Sequence, residues 1–172
     1  MSSKTHGADA TVAGYRRVET PEARKLFFIG LDLGQMQGYS ALAVVERNDV
    51  EVDGGSAVEK HLHLWHLERY PIGTAYPRVV EKVAKLMATP PLDRNCILVI
   101  DATGMGRAVV DMFRKAYLRP LAVTITTGNK ATRDGMEFGV PKRDLIGVLV
   151  ASLQTGRFKI ARELPEAKTL MD

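Results

Sequence analysis

The sequence predicts an α/β fold, a mixed five-stranded sheet with its first three strands antiparallel and the later ones parallel, flanked by helices. Three observations predict it. Three strand-like stretches follow one another before any helical pattern appears, and connections that short join antiparallel neighbours. Apolar runs then alternate with helical stripes, the pattern of β-α-β units. Finally, the runs around residues 29 and 98 are apolar almost throughout, as in strands covered on both faces.

Each element has its own justification. Residues 1–25 are polar and weakly patterned, which reads as a flexible tail or linker, with one domain over 26–172. Leu26-Phe27-Phe28-Ile29-Gly30-Leu31-Asp32-Leu33-Gly34 is an apolar run ended by glycine, a buried central strand. After a polar turn at 35–38, residues 39–46 form a second strand, and Asn48 to Ser56 is a loop. His61 to Glu68 alternates polar and apolar residues, a third strand with one solvated face. There His61 and His63 share a face and His66 takes the other. Pro77 opens a helix with Val79, Val80, Val83, Leu86 and Met87 as its stripe, stopped by Pro90-Pro91. Cys96 to Asp101 is the fourth strand, followed by a helix whose inner face is Val109, Val110, Met112, Phe113 and Tyr117. Leu121 to Thr126 is the fifth strand, and 128–139 is a polar loop. Pro141 opens a third helix in which Leu145, Val148, Leu149 and Leu153 line up before Gly156 caps it. Residues 158–160 are short and extended, and the segment from Leu164 begins a helix that Asp172 cuts off after about two turns.

At 172 residues the chain suits one domain and excludes a mechanism needing two full nucleotide-clasping lobes. No apolar run is long enough for a membrane span, the first residues lack a secretory apolar core, and the single Cys96 excludes a disulfide framework, so the cytoplasm is the expected location. The net charge of +4 decides little by itself, but it is unevenly spread. Residues 1–103 hold 12 basic and 13 acidic side chains, and residues 104–172 hold 12 and 7. A one-sided excess favours a face that meets a polyanion.

Two carboxylates carry the chemistry. Asp32 interrupts a strand expected to be buried, and Asp101 ends another. A buried carboxylate needs a cation, several donors or an opening to water. If the two strands are neighbours, their backbones lie about 4.8 Å apart and the pair can share Mg²⁺ or Mn²⁺, which take hard oxygen ligands. Capping a turn or helix is the structural alternative for Asp101. Gly104-Met105-Gly106 lacks the third glycine of a dinucleotide fingerprint, and no acidic residue on the next strand would hold a ribose. A phosphate nest there and a plain turn with Thr103 as helix cap both remain open. The histidines read as a solvated strand face, and Cys96 as a small core residue. Lys130, Arg133, Lys142 and Arg143 gather around the loop before the third helix. Cations at a helix start oppose its dipole, an arrangement that a docked phosphate would justify.

These residues resemble a known family. Asp32 in Ile29-Gly30-Leu31-Asp32-Leu33-Gly34 and Asp101 in Val99-Ile100-Asp101-Ala102-Thr103-Gly104 are similar to the acidic strand ends of the ribonuclease H-like superfamily. Residues 27–171, with Val140-Pro141-Lys142-Arg143-Asp144-Leu145 and Leu153-Gln154-Thr155-Gly156-Arg157-Phe158-Lys159-Ile160, resemble the nuclease domain of phage terminase large subunits. The resemblance implies a metal-dependent endonuclease that cuts double-stranded DNA during genome packaging, with two Mg²⁺ or Mn²⁺ ions about 4 Å apart. Asp32 and Asp101 would be the ligands and catalytic residues, with Arg107, Lys130, Arg133, Lys142 and Arg143 on the DNA backbone. It further implies an ATPase motor domain in the same full-length chain, a portal and a small terminase subunit as partners, and the bacterial host cytoplasm as location. Terminase nucleases carry another acidic residue on a late helix, so this chain is expected to bind metal weakly and cut poorly, with Asp134 and Glu137 as substitute ligands. Three alternatives remain: a Holliday-junction-resolvase-like nuclease, a lobe of an actin-like or sugar-kinase ATPase, and an inactive DNA-binding module on the same fold.

Overall fold

The computed structural model describes residues 25–34, 38–93, 95–104, 106–161 and 163–166, with backbone alone at 106 and 107. The expected tail (apart from Lys25), the polar turn at 35–37 and the final segment 167–172 lie outside the described residues.

Among the described residues eight strands form one sheet: β1 (Leu26–Asp32), β2 (Ser40–Val52), β3 (Ala57–Tyr70), β4 (Cys96–Asp101), β5 (Leu121–Thr126), β6 (Thr132–Asp134), β7 (Glu137–Pro141) and β8 (Phe158–Ile160). Their order across the sheet is β6-β7-β5-β4-β1-β2-β3-β8. The β1-β2-β3 meander is antiparallel, and β1, β4, β5 and β7 pair in parallel, as the short and long connections require. Three strands exceed the expected five. Phe158–Ile160 joins β3 in parallel as β8. The supposed polar loop folds into the β6-β7 hairpin, with Gly135 at φ 57 in a two-residue turn. Gly135 at the first turn position is a hairpin signal that the polar composition of the segment obscured.

Among the described residues three α-helices accompany the sheet: α1 (Tyr76–Met87), α2 (Gly106–Lys115) and α3 (Lys142–Gln154). Val79, Val80 and Val83 of α1 and Val109 and Phe113 of α2 pack on Phe27, Ile29, Leu31, Leu42, Leu98 and Ile100 to form the core. All six sheet residues occupy alternate positions and face α1 and α2. The expectation that β1 and β4 are buried on both faces is therefore corrected. Their other face carries Gly30, Asp32, Val99 and Asp101 and opens onto a groove. On the covered side, the buried Glu46 has Oε1 3.1 Å from Lys25 Nζ.

Two helix faces also differ from expectation. Tyr117 is not on the inner face of α2: the helix ends at Lys115, and Tyr117 is 95% exposed at φ 61. Its N–H donates to Arg114 O, and Leu118 N–H donates to Phe113 O, the paired bonds of a Schellman ending with tyrosine where glycine is usual. Met112 is exposed as well. α3 crosses from β7 to β8 above the open face, and none of its residues is buried. Its expected stripe and its neighbours are 42–65% exposed, because Leu145 alone reaches the groove. Pro141 ends β7 one residue before the helix, and Gly156, at φ 67, follows its last turn as expected. Among the described residues no helix is long and apolar enough to cross a membrane.

Candidate active site

Parallel pairing of β1 with β4 sets Asp32 directly opposite Asp101. Residues paired across neighbouring strands project to the same face, about 4.8 Å apart at the backbone. Both carboxyls thus stand at the carboxyl ends of parallel strands on the open face, where α/β sheets commonly bind ligands. Beside them is a groove of about 360 Å³ between Leu145 and a floor that includes Gly30, Ala41, Ala43, Val99 and Val123. The small residues of β1 and β2 keep this floor low.

Local bonds fix one carboxylate and leave the other free to adjust. Asp101 Oδ1 accepts the Thr103 N–H at 2.8 Å, and Thr103 Oγ1 accepts the Ile125 N–H at 2.8 Å. The end of β4 is thereby tied to β5 and the Asp101 carboxylate is oriented, with Oδ2 left over. Thr103 is not a helix cap, since α2 begins only at Gly106. Asp32 is accessible, yet partial burial of its carboxyl, followed by the Asp101 charge, raises its pKa above 3.8. Behind it the backbone doubles back closely. Gly34 N–H donates to Ser40 Oγ at 3.1 Å, Tyr76 Oη donates to Gly34 O at 3.3 Å, and a Cβ at Gly34 would collide with the Gly38 carbonyl.

Two carboxylates with uncommitted oxygens and mutual repulsion suit a hard divalent cation. Among the described residues, no group of three or more His, Cys, Asp or Glu side chains is placed to hold a metal ion. Asp134 and Glu137 do not join the pair. Phe138 is opposite Val123 on the groove side, so Glu137 and its partner Asp134 face the other way, and Glu137 lies 3.4 Å from Arg114 Nη2. The histidines are corrected differently. A bulge sets Val45 against Leu64 but Val44 against His66, so His66 shares the face of His63. His61 and His66 contact Glu59 and Glu68, at 3.3 and 3.6 Å. Burial pushes the Cys96 thiol up to about 11, in keeping with an inert core residue.

The basic residues divide by position. Arg133 is opposite Phe138, on the face of the acidic pair, with its guanidinium 5.3 Å from the ring. Lys130, Lys142 and Arg143 lie in the loop after β5 and at the start of α3, at the same end of the sheet as the carboxylates, and Arg143 Nη2 donates to Asn129 O at 3.2 Å. Arg107 lies in α2, with its side chain outside the described residues. Sequence reasoning passed over Arg69 and Tyr39. Asp32 pairs with Ala41, and Ala41 with Arg69, so Arg69 stands in the same cross-sheet row as the acidic pair. Its guanidinium is 4.6 Å from the Tyr39 ring. Only the register of the meander reveals this neighbourhood.

No family model matches the sequence, and no curated protein matches it. Solved structures do. The large terminase nuclease of thermophilic phage G20c aligns with TM-score 0.51 at 19% identity, over 92% of this chain and 65% of that one. The same nuclease with bound magnesium aligns with TM-score 0.53 over the same shares. The human cytomegalovirus terminase nuclease domain, soaked with Mn, aligns with TM-score 0.48 at 12% identity over 87% of this chain and 69% of its own. The chain has the ribonuclease H-like fold of the phage terminase nuclease and spans 65% of that structure's length.

Proposed function

We propose that the domain is a divalent-metal-dependent DNA endonuclease of the terminase type, cleaving phosphodiester bonds of double-stranded DNA by a two-metal mechanism. The observation that carries this reading is the register of Asp32 with Asp101 on neighbouring parallel strands of the accessible face. A likeness in fold to nucleases, one of them with bound magnesium, supports it.

In this reading Asp32 and Asp101 hold Mg²⁺ or Mn²⁺. Such a cation, when bound, supplies a Lewis acid for the phosphoryl oxygens and lowers the pKa of water. The rest is the work of the chain. Thr103 holds Asp101 in one orientation, so one partner of the pair is preorganised before substrate arrives. Asp32, whose raised pKa makes ionisation costly without a cation, is the side chain that adjusts. Lys130, Arg133, Lys142, Arg143 and Arg107 would grip the backbone phosphates, giving salt-dependent binding with little base preference. The ATPase motor, portal and small terminase subunit belong to this reading as partners, and the host cytoplasm as its location. Plasmid nicking in Mn²⁺ by a chain extended past residue 172 tests it. Asp32→Ala and Asp101→Ala should each abolish the activity at equal purity and fold, and unchanged nicking by both would overturn the assignment.

A further inference from the structure

The row through the acidic pair carries a second feature. Following the register across the open face gives Arg69, Ala41, Asp32, Asp101, Val123, Phe138 and Arg133, from β3 to β6. An arginine on an aromatic ring flanks the carboxylates on each side: Arg69 on Tyr39 at 4.6 Å, and Arg133 on Phe138 at 5.3 Å. Arg69 and Phe138 each stand two strands from the nearer aspartate, about 9.6 Å at the backbone. In the row between Arg69 and Asp32 stands only the small Ala41. The Tyr39 ring, 4.6 Å from Cζ, attracts a guanidinium whose fork matches two phosphate oxygens. Arg69 has one ionic partner among the described residues: Glu166 Oε2, 3.4 Å from Nη2. Both side chains are partly accessible, so this contact is weak and exchangeable.

We propose that Arg69, stacked on Tyr39, is a subsite for a nucleic-acid backbone phosphate on the meander side of the acidic pair, and that Glu166 occupies it until the phosphate displaces it. The proposal deepens the nuclease reading and rests on it. Arg69 is a positioning residue that acts through the placement of the strand and does not touch the reacting phosphate.

The test is binding of a fluorescein-labelled duplex in EDTA, followed by anisotropy at several salt concentrations. Arg69→Ala should weaken binding and lower the slope of log affinity against log salt by about one, the signature of one lost phosphate contact. Arg69→Lys should keep the slope while losing part of the affinity, because the charge remains and the fork does not. Glu166→Gln should bind more tightly than the parent, which a merely structural ion pair would not produce. Parental affinity and slope in Arg69→Ala, or no tightening in Glu166→Gln, would overturn the subsite and leave the nuclease reading standing. A parent chain that binds no duplex at low salt would overturn both.

Discussion

Asp32→Asn removes one of two like charges without changing side-chain size, so it lifts both the burial cost of the Asp32 charge and its repulsion with Asp101. Across neighbouring strands, about 4.8 Å apart, that repulsion is about 0.9 kcal/mol at the dielectric constant of water and about 3.5 kcal/mol at an effective value of 20. Asp32 is solvent-accessible on the groove side, so the lower figure applies, about 1 kcal/mol. In a domain of this size that corresponds to a rise in Tm of about 2–4 °C. The pH dependence fixes the sign. The folded-state pKa of Asp32 lies above 3.8, so ionising it costs folding free energy. The cost sets in as pH rises past 3.8 and is complete above the raised value. The variant lacks this cost, so it should be the more stable form at pH 7.5 in EDTA, and the difference should close toward pH 3. Saturating Mg²⁺ should then stabilise the parent and not the variant, because a ligand stabilises the state that binds it. Thermal unfolding followed by circular dichroism reads all three. A variant no more stable than the parent in EDTA, or an equal response of both to Mg²⁺, would refute the reasoning.

Two substitutions test the scaffold around the site. Gly34→Ala drives a methyl group into the Gly38 carbonyl in the turn behind Asp32, and should cost about 1–3 kcal/mol as other overpacked sites do, read from urea unfolding. Tyr117→Gly relieves a left-handed tyrosine whose ring makes almost no contact, and should gain about 1 kcal/mol, read as a higher unfolding midpoint at unchanged urea dependence.

The elements with strong local patterns were legible in the sequence. The β1 run, the α1 stripe and the β4-α2-β5 unit depend on spacing and on residues such as Pro77, which the chain itself displays. What sequence reading missed depends on pairing. The β6-β7 hairpin exists because β7 finds β5, a partner remote in sequence, and polar residues such as Arg133 hid it. His66 changed faces because one bulge at Trp65 reverses the alternation of β3. Asp32 and Asp101 were identifiable as acidic interruptions of apolar strands, and their pairing was conditional on β1 and β4 being neighbours, as they are. Their exposure did not, since apolar runs such as 97–100 read as buried on both faces even where helices cover only one. Arg69 was invisible for a related reason: its place beside the pair comes from register alone.

In the proposed function Asp32 and Asp101 act together as a divalent-cation centre. Titration of the chain with Mn²⁺, followed by the loss of its free-ion electron paramagnetic resonance signal, tests this most directly. Mn²⁺ should bind, and Asp32→Asn and Asp101→Asn should each weaken binding at least tenfold, since even residues that only orient a metal ligand are worth about 10–100-fold. Binding of equal strength in the parent and both variants, or none in the parent at millimolar Mn²⁺, would contradict it.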